Sequence, residues 1–443
     1  MAPALTAADA SRPNVIFIMA DDQGSVDAGC YDTTDIKTPA IDGLAARGVR
    51  FTQFYSAAPV CSPSRAGLLT GRYPWLVGMP GNGPEPPSEK DDQLDTYTGN
   101  GLPAEGLNLP RLFHAAGYAT AHLGKWHLGY GVGHMPLDQG FDYSFGFMGG
   151  CIDNYSHFNY WGGPNREDLW ENSHRVRLPG QYFPDLIVAK AEGFIASHKD
   201  QPFFMYFAIN MPHYPYQGDP RWLEYYQSNN VPYPRDLYAA FVSTLDDRIQ
   251  RLLKYLDDSG LRDNTIIVYQ SDNGHSTEAR AHYGGGSSGP YRGAKFSLFE
   301  GGIRLPAIIS WPGHLPAGAV RSQLVQGCDW LPTLAELCGL TINPADQEKL
   351  NGRSIVSVIK DAGAPSPHNV VEWKSGRQWA VRQGPWKLLH DPDDTGSTNQ
   401  VELFEQHWFL ANIAEDPGEH TNYAAAHPDI LAELKKLAPS NGK

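Results

Sequence analysis

No run in this sequence approaches the roughly 20 apolar residues that a membrane-spanning helix needs, so a helical span is excluded. Cysteine is scarce. The five cysteines, Cys30, Cys61, Cys151, Cys328 and Cys338, show no zinc spacing and are too few for a disulfide framework. Cys328 and Cys338 are expected to share a helix, too far apart along its axis to pair. Positive charge is in deficit: 35 Lys and Arg stand against 49 Asp and Glu, a formal net charge of −14. That excludes nucleic acid as a partner, and any positive charge for an anionic ligand has to be local. The first strand-like run lacks the glycine fingerprint of dinucleotide folds, which excludes a nicotinamide dehydrogenase. Residues 1–12 are small and polar, lack the apolar centre of a signal peptide, and are expected to be disordered. Either the protein is cytoplasmic, or a leader was removed and replaced by a start Met.

What is present describes a loop-rich globular enzyme, with 41% hydrophobic residues, 46 Gly, 35 Pro and 12% aromatics. Apolar runs at Asn14–Ala20, Tyr118–Leu123, Pro202–Asn210, Thr265–Ser271 and Ala307–Trp311 read as buried strands, with Phe51–Ala57 as strand or extended chain. Helical patterns fall at Pro39–Arg47, Leu109–Ala116, Asp185–His198 and Arg235–Ser259. The last carries the stripe Leu237, Phe241, Leu245, Ile249, Leu252 and Leu256. This alternation predicts an α/β fold, a large doubly wound mixed sheet flanked by helices, over residues 13–364. From residue 365 to 443 the pattern changes to short antiparallel strands, Asn369–Trp373, Gln378–Arg382, Trp386–His390 and Val401–Phe404, and a helix over Pro428–Leu437. These predict a smaller C-terminal α+β domain. Residues 79–107 and 131–182 read as irregular, and the glycine-rich 284–289 as a linker or a mobile edge of a site.

Polar residues gather just past the C-terminal ends of the predicted strands, where ligands bind in open α/β sheets. Asp21-Asp22, Lys125 with His127, His213, and Asp272-Asn273 all fall there. Adjacent carboxylates such as Asp21 and Asp22 mark either an ordinary polar turn or a cation site. With Asp272 and Asn273 they offer only hard oxygen donors, which suits Ca²⁺ or Mg²⁺ rather than zinc. Cys61 stands at the mouth of a predicted helix, with Ser62 as N-cap, Pro63 at the first helical position and Arg65 one turn on. A small buried side chain and a reactive thiolate are both open readings. A Cys-dependent phosphatase loop would place an Arg where Gly67 stands.

Cys61-x-Pro63-x-Arg65 followed by Leu69-Thr70-Gly71-Arg72 resembles the signature of the formylglycine-dependent type I sulfatases, alkaline-phosphatase-like enzymes that include bacterial carbohydrate sulfatases. The likeness extends over nearly the whole chain. It covers Gly124-Lys125-Trp126-His127, Pro212-His213, and Lys295 upstream of Glu300-Gly-Gly-Ile-Arg304. The resemblance implies that a formylglycine-generating or equivalent maturation enzyme oxidises Cys61 to formylglycine (3-oxoalanine), whose hydrate attacks sulfur. It further implies that Asp21, Asp22, Asp272, Asn273 and residue 61 hold Ca²⁺, with Mg²⁺ possible, and that Arg65 partners residue 61. Lys125 and Lys295 would neutralise sulfate oxygens, His213 protonate the leaving oxygen, and His127 take a proton from the second hydroxyl. Ser25-Val26 depart from the usual aromatic and Gly of that loop. A periplasmic or secreted location is implied. Asp153, Asn154, His157, Trp161 and Arg166 in the 131–182 loop offer polar and stacking groups to a sulfated oligosaccharide or polysaccharide. The alternatives are an arylsulfatase, a phosphonate or phosphate monoester hydrolase of the same superfamily, or a non-catalytic binder if Cys61 is unmodified.

Overall fold

Strand Asn14–Ala20 (β1) is buried at all seven positions, as a parallel strand covered on both faces must be. The computed structural model describes residues 12–83, 98–160, 166–398 and 400–439. Within them the large sheet has ten strands. After β1 these are Val49–Phe51 (β2), Ala119–Lys125 (β3), Tyr143–Phe147 (β4), Trp170–Glu171 (β5), His174–Arg175 (β6), Phe203–Ala208 (β7), Thr265–Ser271 (β8), Ala307–Ser310 (β9) and Ala319–Arg321 (β10). Their spatial order is β10-β2-β9-β8-β1-β7-β3-β4-β5-β6. The central five, β8 through β4, are mutually parallel, whereas β9 and β5 pair antiparallel to their inner neighbours. The sheet is therefore mixed.

Alternation along β1 divides two cores. Val15, Phe17 and Met19 join one face with Phe204, Tyr206 and Val268, and Ile16, Ile18 and Ala20 join the other with Met205, Phe207 and Ile267. Helices Pro39–Ala46 (α1), Phe183–Ser197 (α4) and Arg235–Asp258 (α6) cover the second face, where α6 buries Phe241, Leu245, Ile249, Leu252 and Leu256. Helices Cys61–Thr70 (α2), Leu109–Ala115 (α3) and Trp330–Leu337 (α7) contribute to the first. Thr38 gives α1 no side-chain cap. Asp246 on α6 replaces it, its carboxylate accepting from Ala40 and Ile41 N–H at 2.9 and 2.8 Å.

The small sheet, Val370–Ser375 (β11), Gln378–Gln383 (β12), Trp386–His390 (β13) and Trp408–Asn412 (β14), is antiparallel throughout. One face, including Val371, Trp373 and Phe409, packs on Tyr55, Leu298, Phe299 and Ile303 of the large domain. The other is covered by helix Pro428–Lys435 (α8). A buried charge cluster crosses the junction: Lys387 Nζ lies 2.8 Å from Glu300 and 3.0 Å from Glu419.

Several expectations are corrected. The fourth strand of the small sheet is Trp408–Asn412, and of Val401–Phe404 only Phe404 pairs, in an isolated bridge to Trp408. Strand β4 and helix Pro220–Ser228 (α5) were not expected. Helix α2 begins at Cys61 itself, after the extended Val60, and Ser62 Oγ accepts from Gly83 N–H rather than capping. Cys328 and Cys338 flank α7 instead of sharing it, and all five thiols are free. Residues 284–289 are no linker: Ser287 N–H donates to Asp27 at 2.7 Å, and a Cβ on Gly285 would stand 2.6 Å from Tyr238. Among the described residues, no helix is long and apolar enough to cross a membrane.

Candidate active site

Strands β8, β1, β7 and β3 are neighbours, so the residues that follow their C-terminal ends meet at one edge of the sheet. Asp272 N–H donates to Ala20 O at 3.1 Å and Asp21 N–H to Met211 O at 3.0 Å, which locks three of these ends together. Asp22 and His127 have φ of +62° and +54°. Such left-handed conformations are uncommon outside glycine and cluster where a site dictates the backbone.

The side chains form a buried, alternating array of charge. Lys125 Nζ donates to both Asp21 oxygens at 2.8 and 2.9 Å, and Lys295 Nζ to Asp22 Oδ2 at 2.8 Å. Arg65, one turn into α2, places Nη2 and Nε at 2.7 and 3.0 Å from Asp272 Oδ2. Cys61 Sγ stands 3.8 Å from Asp21 Oδ1 and 3.9 Å from Asp22 Oδ1. Asn273 donates to Asp22 at 2.6 Å, whereas its own Oδ1 is buried without a partner. His213 Nδ1 lies 2.7 Å from Tyr214 O, and its Nε2 stands 3.3 Å from Lys295 Nζ and 3.5 Å from Asp22 Oδ2.

Burial and neighbouring charge set the protonation states. Burial pushes up the carboxyl of Asp22, but Lys295 and His213 prevail and hold it below the usual range. For Asp21, burial is likewise outweighed by Lys125, His213 and Arg65. Asp272 goes the other way, raised by burial and by Asp21 despite Arg65. Burial lowers His213, and it lowers His127 strongly with help from Lys125 and Arg65. The Cys61 thiol is raised to about 12 by burial, although Lys125 and Lys295 oppose. The low-pKa thiolate reading is therefore not supported.

A cavity of about 210 Å³ opens onto this array, lined by Cys61, Asn82, His127, Gly150, His213, Glu278, Lys295 and Phe296. A larger one of about 570 Å³ lies between α1 and α6, lined by none of these groups. Asn82, Glu278 and Phe296 escaped the sequence reading, since they sit on irregular segments and only tertiary folding brings them to the cavity. Of the expected sugar contacts, Asp153 accepts from Ser156 N–H and Gln217 Nε2, both at 2.7 Å. Asn154 is held by Asn210 at 2.9 Å, and His157 Nε2 lies 3.0 Å from Gln181 O. These three secure their own loop, and neither they nor Arg166 lines the cavity. Trp161 lies outside the described residues.

The donor set fits a hard divalent cation. Asp21, Asp22 and Asp272 supply carboxylates, and the unpartnered Asn273 Oδ1 is a ready neutral ligand. Ligand atoms of Asp21, Asp22, Cys61 and His213 all lie within 4.8 Å of one another.

Residues 13–340 match the family model described as "Sulfatase". The chain belongs to the sulfatase family. Residues 293–438 also match the model of the C-terminal region of N-sulphoglucosamine sulphohydrolase. The sulfatase is 32% identical over 485 residues to arylsulfatase J of Mus musculus, covering 99% of this chain and 77% of that protein. It is 29% identical to the N-acetylgalactosamine-6-O-sulfatase of Bacteroides thetaiotaomicron, covering 98% and 93%. The solved structure of Ps i-CgsB in complex with k-i-k-neocarrahexaose matches with a TM-score of 0.83 at 31% identity, over 96% of this chain and 92% of that one. A phosphonate monoester hydrolase of Agrobacterium radiobacter, 18% identical with a TM-score of 0.62, shares the fold. This sulfatase is thus a sulfuric ester hydrolase of alkaline-phosphatase-like architecture.

Proposed function

We propose that the enzyme removes sulfate from a sulfated oligosaccharide or polysaccharide, using formylglycine derived from Cys61 and a calcium ion held by Asp21, Asp22, Asp272 and Asn273. Magnesium would satisfy the same donors in a tighter geometry. The observation that carries this reading is the convergence of Cys61, His127, His213 and Lys295 on one small cavity beside the oxygen-donor cluster. The choice of a sugar rests on relatives and structural neighbours named for carbohydrate substrates. When bound, the cation and the aldehyde hydrate together supply a nucleophilic hydroxyl at neutral pH.

The chain's own groups do the rest. Lys125 and Lys295 neutralise the sulfate oxygens, a preorganised stabilisation that buried cations provide without reorientation. His213 donates Nδ1–H to Tyr214 O, so Nε2 is the atom left for the departing oxygen, and it gives up a proton there from the imidazolium form, which the nearby Asp22 carboxylate favours against burial. His127, kept neutral by burial and nearby cations, accepts a proton from residue 61. Arg65 orients Asp272. A maturation enzyme acting on Cys61 and a periplasmic or secreted location complete the proposal.

A second reading, an aryl sulfate as substrate, is favoured by the Phe296 ring at the cavity wall. The test is sulfate release from a panel of defined sulfated oligosaccharides beside nitrophenyl sulfate and nitrophenyl phosphate, with peptide mass spectrometry across residue 61. Preferred turnover of a sugar sulfate by protein carrying the aldehyde supports the proposal. Turnover of the nitrophenyl esters alone refutes the glycan assignment, and full activity with an unmodified thiol refutes the formylglycine.

A further inference from the structure

Remote from the catalytic cavity, His390, Asp391 and His407 bring three metal-ligating atoms within 4.8 Å of one another. His390 ends β13 and pairs with Trp408 on β14. One step further, Asp391 N–H donates to His407 O at 2.9 Å. Regular alternation would send the side chains of 390 and 391 to opposite faces. Asp391 instead has a φ of +46°, which lets its carboxylate address both imidazoles. Its Oδ1 lies 2.6 Å from His407 Nδ1, and its Oδ2 lies 3.5 Å from His390 Nδ1.

The rings are held in place. Trp379 stacks on His390 with centroids 5.2 Å apart and planes at 7°, and His407 stacks on His390 at 5.4 Å and 11°. His390 Nδ1 is shielded from water and makes no hydrogen bond. A buried polar nitrogen without a partner is unfavourable, and here it faces a carboxylate beside a second imidazole.

We propose that these residues form a zinc site, with His390 Nδ1, His407 Nδ1 and the Asp391 carboxylate as ligands and a fourth position open to water. Zinc bonds of about 2.0–2.2 Å in a tetrahedron put ligand atoms roughly 3.3–3.6 Å apart, close to the His390–Asp391 spacing. As Zn²⁺ replaces the proton between His407 and Asp391, the half-exposed His407 ring turns out of its parallel stack to aim its in-plane lone pair at the ion, the pair opens by under about 1 Å, and the proton passes to solvent. Imidazole donors select a borderline ion such as Zn²⁺ over Ca²⁺, so the site differs in kind from the oxygen-donor cluster. His407 is 54% exposed, which gives the ion a route in. The bound metal ties the end of β13 to the turn that leads into β14.

The test uses tag-free protein saturated with Ca²⁺, titrated with Zn²⁺ by calorimetry and unfolded thermally with and without Zn²⁺. One equivalent of Zn²⁺ per chain is expected to bind and to raise the unfolding temperature. His390→Ala and His407→Ala are expected to weaken that binding tenfold or more and to abolish the thermal gain, with Ca²⁺-supported turnover unchanged. Because His390 packs between tryptophans, the half-exposed His407→Ala carries the test if the other variant misfolds. No zinc uptake by the wild type, or uptake equal in His407→Ala, overturns the proposal and leaves a hydrogen-bonded His–Asp pair.

Discussion

Arg65 grips a single oxygen of Asp272, with Nη2 at 2.7 Å and Nε at 3.0 Å, and so leaves Asp272 Oδ1 to accept the Asp22 N–H at 3.1 Å. The helix that begins at Cys61 is thereby fixed to the loop that carries two of the proposed ligands. Both side chains are fully buried, so neither can exchange its partner for water.

Arg65→Ala is therefore expected to act on stability as well as on rate. Removing one member of a buried pair strands the other, at about 3–5 kcal/mol. Arg65→Lys restores the charge but not the two-nitrogen grip, and is expected to recover only part of the loss. Urea unfolding of the three proteins measures this, and wild-type stability in Arg65→Ala would contradict it.

Cys61→Ala is expected to fold normally and to lose multiple turnover. Its circular dichroism should match the wild type while sulfate release falls to background. Near-native turnover would remove residue 61 from the chemistry.

Chelation is expected to abolish activity, and Ca²⁺ to restore it better than Zn²⁺, because the donors are oxygens. Asp272→Ala is expected to weaken Ca²⁺ binding and, because it strands the buried Arg65, to lower stability about as much as Arg65→Ala does. Metal binding by calorimetry on both proteins gives the answer, and full turnover by metal-free enzyme would dismiss the site.

The two histidines should separate by leaving group. His213→Ala is expected to cost about 10²–10⁴-fold on a sugar sulfate, the range of a general acid, and far less on a nitrophenyl sulfate, whose phenolate leaves nearly unaided. His127→Ala is expected to release about one equivalent of alcohol and then stall. Burst and steady-state kinetics on both substrates distinguish them, and equal losses for His213→Ala would make it a sulfate-binding group.

Stability should depend on pH through the domain junction. Burial, reinforced by Glu300 and opposed by Lys387, raises Glu419 from 4.5 to about 7. Between those values the folded state holds a proton that the unfolded state has released, so this group lowers stability as pH rises through the window. Glu300 has the opposite sign: burial is outweighed by Lys387, Arg304 and Arg382, which hold it near 2, and its contribution is lost as pH falls below about 4.5. Glu419→Gln is expected to match the wild type near pH 4, below that window, and to exceed it near pH 8 in thermal unfolding. A gap that does not widen with pH would refute this.

The doubly wound core was legible because its strands are continuous apolar runs and the proposed ligands follow their ends. Strand β4 was not, for a reason visible in Gly146. Glycine weakens a strand pattern, yet a Cβ there would lie 1.8 Å from Gly124 O, so the close pairing of β3 and β4 requires it. The small sheet's fourth strand was misplaced because Val401–Phe404 and Trp408–Asn412 are both short apolar stretches, and only pairing with β13 chooses between them. Asp21, Asp22, Cys61, Arg65, Lys125, His127, His213, Asp272 and Asn273 converge because adjacent strand ends and the start of α2 deliver them, and Lys295 joins them from the irregular segment between β8 and β9. Asp153, Asn154 and His157 have the polarity of sugar contacts, but composition does not show that their hydrogen bonds turn inward.

The walls around Cys61 also set a clock. The thiol is 1% exposed, and His213 and Lys295, which line the cavity with it, both come later in the chain. A maturation enzyme cannot enter a finished cavity of about 210 Å³ to reach the buried sulfur. The proposed oxidation must therefore be complete before the later half of the polypeptide docks. Lys295 follows Cys61 by roughly 230 residues, so at about 5–20 residues per second the interval during synthesis is on the order of ten to fifty seconds. On the proposed oxidation of Cys61, chains that fold first are committed to remaining thiols, and the active fraction of a preparation becomes a record of how these two rates competed.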